Sequence, residues 1–241
     1  MKPKLRLPLP ALLRRLAPAT RGVAMLEFAL ALPVVLVLGC YGVETANLAI
    51  ANLRVSQLAS NLADNGSRMG LMSSTSSVVQ LRELDLNNAL QAARLQGASL
   101  NIGTNGRVTL SSLEYIQQSY DTAPVMRIHW QRCFGLKSGT GYDSSYGTTS
   151  ATAGTDATKA NAGTTVTGMG DPGAVVTAPS GSGLIFVEVN YDYQRLFGST
   201  FMGPAKLRYV ASFIVRDRRD FAQLYNPSPA ATRSTCDKYT T

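Results

Sequence analysis

The sequence predicts an α+β protein in which one long N-terminal helix, membrane-spanning in its first part and amphipathic in its second, packs on a small antiparallel sheet. Three observations predict it. Val23 to Val43 is a run of 21 residues whose one charge is Glu27. Directly after it, apolar residues recur at helical spacing. Further along, short β-type runs follow one another without the regularly interposed helices that a parallel sheet needs.

The first 22 residues read as a basic leader. Lys2, Lys4, Arg6, Arg14, Arg15 and Arg21 all precede Glu27, the first acidic residue, and without these six the rest of the chain holds 17 basic against 15 acidic side chains. The formal charge of +8 therefore belongs to the leader and is not a nucleic-acid-binding face, since the remainder has no basic cluster to meet phosphates. Lys and Arg stay on the cytoplasmic side of a span, which puts the N-terminus inside and the body outside. At about 1.5 Å rise per residue, the run from 23 to 43 covers roughly 31 Å, the thickness of a bilayer core. A removed secretory peptide has a shorter apolar stretch.

Residues 44–70 continue the helix in amphipathic form. Leu48, Ala51, Val55, Leu58 and Leu62 share one stripe, with Arg54, Gln57, Asn61 and Asp64 away from it. Ile50 and Leu53 fall off the stripe, which points to cover on a second face. Asn65-Gly66 reads as the stop.

Residues 71–241 read as an exported α+β domain. A second helix is expected over 78–96, ended by Gly97, and the Asn105-Gly106 step between two β-type runs has the form of a tight hairpin. The stretch 124–135, PVMRIHWQRCFG, reads as a strand with imperfect alternation. From 137 to 183 the chain is rich in Gly, Thr, Ser and Ala and poor in large apolar residues, so it is expected to be a flexible surface insertion. LIFVEVNYDYQRLF and KLRYVASFIVRD, on either side of the Gly203-Pro204 turn, are the two strongest strands. Cys133 and Cys236 would both face an oxidising compartment, so a disulfide between them is expected, with two buried thiols as the alternative.

Chemistry of the catalytic kind is thinly represented. His129 is the one histidine, and no His, Cys, Asp and Glu residues stand at zinc-ligand spacing. GMGDPG, residues 168–173, matches a phosphate-loop pattern but lacks the preceding strand and following helix. No catalytic residue, metal or cofactor is expected.

Glu27 is explained by processing. If the chain is cut between Gly22 and Val23, Glu27 becomes the fifth residue, near the positive end of the helix dipole. It can then meet the new ammonium of a neighbouring subunit, which lifts most of the several kcal/mol that a lone charge costs in hydrocarbon. Pro33 removes one backbone hydrogen bond and so permits a bend. Two other readings stand beside this one: an uncut anchor with Glu27 near the interface, and a lipobox, VLGC at 37–40, with Cys40 acylated.

Gly22, four apolar residues, Glu27 and Phe28 resemble the type IV prepilin cleavage motif. RGVAMLEFALALPVVLVLGCYGVET, with Arg21, Gly22, Glu27, Phe28, Ala29, Pro33 and Glu44, is similar to the TadE-like family of tight-adherence pilus assembly proteins, and LRVSQLASNLADNGSRMG resembles the stretch C-terminal to the span in that family. The resemblance covers about 50 of 241 residues. It implies a non-enzymatic minor pilin or pseudopilin of the bacterial inner membrane with a periplasmic domain. Its partners would be the prepilin peptidase, other pilin or pseudopilin subunits and the pilus assembly platform.

Overall fold

The computed structural model describes residues 22–73 and 77–241. The basic leader through Arg21 lies outside them.

Helix α1, Val23–Arg68, runs unbroken through Pro33 and Asn65-Gly66. It does not stop at Gly66 because there the missing side chain serves packing: a Cβ would sit 2.9 Å from Ile185 Cγ2. A short hairpin of β1, Leu71–Met72, and β2, Val79–Gln80, follows. Helix α2, Glu83–Gln96, starts later than expected, where Asp85 accepts a hydrogen bond from the Arg82 backbone N–H at 3.1 Å. A 3-10 turn, Ala98–Leu100, leads to the single helical turn α3, Ile102–Asn105.

The expected Asn105-Gly106 hairpin is absent. Asn105 closes α3 and Gly106 opens the central strand, so the step is a helix-to-strand join, and the apolar residue before it, Ile102, is a buried plug. The sheet consists of β3, Gly106–Ile116, β4, Val125–Phe134, the two-residue β5, Thr164–Thr165, β6, Ser182–Asp192, and β7, Lys206–Ile214. Its order is β5-β4-β3-β6-β7, antiparallel throughout. Ser112 pairs with Trp130 and Leu113 with Ile128, which leaves His129 as the extra residue of a bulge. That bulge is why the alternation along β4 reads imperfectly: Ile128 and Trp130, two apart, enter different apolar clusters.

One sheet face packs on the helices. Val108, Leu110, Ile185, Val187, Val189 and Tyr191 meet Ala51, Val55, Leu58, Ala59 and Leu62 of α1 and Leu86 and Leu90 of α2 in a single core. The predicted stripe is thus the buried one. Ile50 and Leu53 stay exposed.

The second face overturns the expectation of a free insertion at 137–183. That segment lies over the sheet. Met169, Ala178, Val166, Val176 and Tyr146 pack on Leu113, Ile128, Leu184 and Phe186. Backbone groups do the rest: Gln131 donates to Gly147 O at 3.0 Å and accepts from Thr149 N at 3.0 Å, and Asn190 donates to Tyr142 O at 2.9 Å. A chain poor in large apolar side chains can cover a sheet face when that face is itself partly polar, because hydrogen bonds satisfy both sides. Within it, GMGDPG forms a turn, with Met169 and Val176 exchanging backbone hydrogen bonds. Gly170 has φ +136°, and a Cβ there would lie 2.4 Å from Ala174 O, so its glycine answers to the turn and not to a phosphate.

Candidate functional site

The residues singled out by sequence separate into two places. Gly22, Val23, Glu27 and Pro33 belong to the lower half of α1, where every residue from 22 to 39 is exposed. Gly22 caps the helix and Val23 is its first residue. Glu27 stands free of hydrogen bonds and ion pairs among the described residues. The helix is long and apolar enough to cross a membrane once, and its most apolar window buries nothing against the rest of the chain. A core helix of a water-soluble domain would be covered there.

Cys133 and Cys236 form a disulfide with their Cα atoms 4.8 Å apart, as expected. It fastens the C-terminal segment to β4. Beside it the buried Arg107 donates to Cys236 O at 2.5 Å, to Lys238 O at 2.9 Å and to Gly135 O at 3.0 Å, with its guanidinium 4.3 Å from the Tyr239 ring centroid. Cys40 is a free thiol inside α1, and the helix continues 28 residues beyond it to Arg68. The flexible tether that follows a lipidated cysteine is replaced here by helix.

His129 is buried and its Nδ1 lies 2.9 Å from Glu114 Oε2, while Ser112 Oγ donates to Glu114 Oε1 at 2.7 Å. The carboxylate sits between serine and imidazole. A nucleophile needs the imidazole next to the hydroxyl, so this order orients a buried network instead of activating Ser112. Among the described residues no group of three His, Cys, Asp or Glu side chains could hold a metal ion.

Three arrangements escape the sequence reading. The first is a buried ion pair: Arg132 of β4 reaches Glu83 at the start of α2, Nε to Oε2 being 2.8 Å, with Arg233 3.3 Å from the same carboxylate. The second is Glu188 on the loop-covered face of β6, which accepts from Ser144 and from Ser145 N. Burial pushes its carboxyl above the ordinary value, against the lowering effect of those hydrogen bonds. Nearby, burial and the Asp171 carboxylate push the Tyr146 hydroxyl up to about 12.

The third arrangement joins helix to domain. Glu44, fully buried, accepts from Tyr193 Oη at 2.8 Å, Leu196 N at 3.1 Å and Phe197 N at 3.0 Å. Asn47, one turn on, donates to Tyr193 Oη at 2.7 Å. A charged residue closing an apolar run usually marks the water boundary. Here the same residue also fixes the loop that follows β6 to the helix.

Comparison of the chain with protein-family models, with curated proteins and with solved structures finds no match to any of them. The functional reading therefore rests on the residues and on their arrangement.

Proposed function

We propose that this chain is a structural subunit, a minor pilin or pseudopilin, of a Tad-type pilus assembly or secretion machine. In this reading it is held in the bacterial inner membrane with its N-terminus in the cytoplasm and its domain in the periplasm. A prepilin peptidase cuts between Gly22 and Val23. The observation that carries the reading is the placement of Gly22, Val23 and Glu27 on a helix that is bare for its first half and bears a folded domain on its second. A bare apolar helix with a carboxylate five residues from its start suits packing among like helices in lipid, where Glu27 meets the ammonium of a neighbour. Cys133–Cys236 suits an oxidising periplasm. The peptidase chemistry belongs to the partner enzyme, and the subunit itself acts by assembling.

The test is the mature N-terminus. Intact-mass measurement of the protein from cells with a working prepilin peptidase should give a chain beginning at Val23. A chain that keeps Met1 in those cells removes the pilin reading. Glu27→Ala should still insert and be cut but should fail to join a fibre, and unchanged piliation removes the pairing role.

A second reading, an uncut tether bearing a binding or adhesive domain, is favoured by one feature: a cleft of about 270 Å³ beside the disulfide, whose lining includes Arg107, Gln131, Asp143 and Tyr239. Recovery of a lone monomer without pilus or secretion components would favour it.

A further inference from the structure

The loop after β6 is unusually apolar for its exposure. Leu196 is 56% and Phe197 39% exposed, and Phe201 packs edge-on against Phe197 with ring centroids 5.7 Å apart. A loop in water has no reason to present these side chains, and grouped apolar exposure marks a contact surface. Its place on the helix identifies the contact. Glu44 grips the Leu196 and Phe197 backbone N–H groups, and Glu44 is the residue directly after the apolar run. Cys40, one turn nearer the membrane on the same side, is the one residue from 22 to 43 that is half-buried. Around the loop stand Arg195, which donates to Met202 O at 3.1 Å, and the exposed Lys206, while the nearby Asp192 is held by Lys137 at 2.6 Å.

We infer that Leu196, Phe197 and Phe201 form a membrane-facing lip that enters the interfacial layer of the same bilayer that α1 crosses. The inference rests on the single-span reading of α1 and not on cleavage at Gly22. Glu44 holds the lip at the depth where the span ends. Aromatic and aliphatic side chains there bury about 5–10 Å into the boundary between headgroups and chains, with Arg and Lys at the phosphates. The domain is then held at two points, by the helix and by the lip, which fixes its height and its rotation about the helix axis.

The test uses the full chain in nanodiscs of anionic lipid brominated either high on the acyl chain or near its end. Tryptophan is placed singly at Phe197→Trp, at Leu32→Trp in mid-span, and at Ile214→Trp at the far end of β7, with the buried Trp130 signal subtracted. The lip predicts quenching at position 197 by the high bromines above the low ones, at position 32 by the low bromines, and none at position 214. Quenching at 32 without quenching at 197 overturns the lip and leaves the span standing. No quenching at 32 overturns both. A blue shift at 197 that grows with protein per disc, without quenching, assigns the surface to a second copy and also overturns the lip.

Discussion

The two halves of α1 have the same backbone and opposite surroundings. From Val23 to Val43 the helix is apolar on all sides and touches almost nothing of its own chain, whereas from Glu44 to Arg68 one stripe is buried on the sheet and the other side carries Arg54, Gln57 and Asn61. The difference teaches how one helix serves two environments. On the proposed single-span reading the lower half is surrounded by lipid, and its composition is uniform around the axis because every face would meet the same medium. Where the surroundings are half protein and half water, polarity alternates at the helical period. The change falls at Glu44, whose carboxylate is satisfied inside the protein by three donors.

The strongest way to break this comparison is in the upper half. Leu58 is 1% exposed at the centre of the helix–sheet core. Leu58→Ala should cost about 2–5 kcal/mol of domain stability, since it removes the side chain and leaves a cavity. Denaturant unfolding of the full chain in detergent, followed by Trp130 fluorescence, measures it. A loss below about 1 kcal/mol, the cost of an ordinary single substitution, would mean that α1 is not part of the core.

That stripe was legible in the sequence because 3-and-4 spacing is a property of the helix alone, and so were the bare apolar helix before it and the strands β6 and β7. What escaped was set by partners distant in sequence. Glu83 and Arg132 are 49 positions apart, and neither looks special until α2 is laid across β4. The cover supplied by 137–183 was illegible for the opposite reason: its contribution comes from backbone groups and small side chains, which composition counts as inability to fold. Glu44 was visible as a residue but silent as to role, because Tyr193, Leu196 and Phe197 reach it only after the sheet returns to the helix. Asn105-Gly106 misled because turn chemistry is local and the helical turn before it is held by burial of Ile102. Of the candidate site, the disulfide pairing was readable from compartment. For Gly22, Val23 and Glu27 the proposed roles, processing and subunit pairing, are carried by the sequence pattern and by their place on a bare helix.

The boundary between the two regimes gives the next largest effect. Glu44→Ala leaves the Leu196 and Phe197 N–H groups and the Tyr193 hydroxyl short of an acceptor, at a cost of about 1–3 kcal/mol. The loss should be local. Amide hydrogen exchange should speed up at Leu196 and Phe197 and stay slow at Val187 and Val189 in mid-sheet. Uniform acceleration along β6 would show that Glu44 supports the whole domain and not the junction.

A smaller effect separates the two faces of the sheet. On the helix-covered side the buried carboxylates Glu44 and Glu83 are held by donors, whereas Glu188 lies under the covering segment with its carboxyl raised by burial. In the folded chain it keeps its proton at pH values where the unfolded chain has lost it. Its contribution is therefore complete below the ordinary carboxylate range and is lost as pH rises through the raised folded value. Stability followed across that range should fall less steeply in Glu188→Gln than in the native chain, and identical slopes would deny that Glu188 titrates under the covering segment.

The smallest effect on the isolated chain sharpens the comparison most. Ile50 and Leu53 lie in the upper half, off the buried stripe, and are 48% and 62% exposed. By the logic of the lower half, apolar residues on an open side imply a neighbour there. Leu53→Gln removes an exposed apolar side chain and keeps helix propensity, so domain stability should stay within about 0.5 kcal/mol of native. If the neighbour is another subunit, co-purification with pilus or secretion components should fall even though the fold is untouched. If the chain is a lone tether, neither quantity should move. A large loss of stability would instead place Leu53 in contacts of this chain's own, and the open side of α1 would then end at Val43.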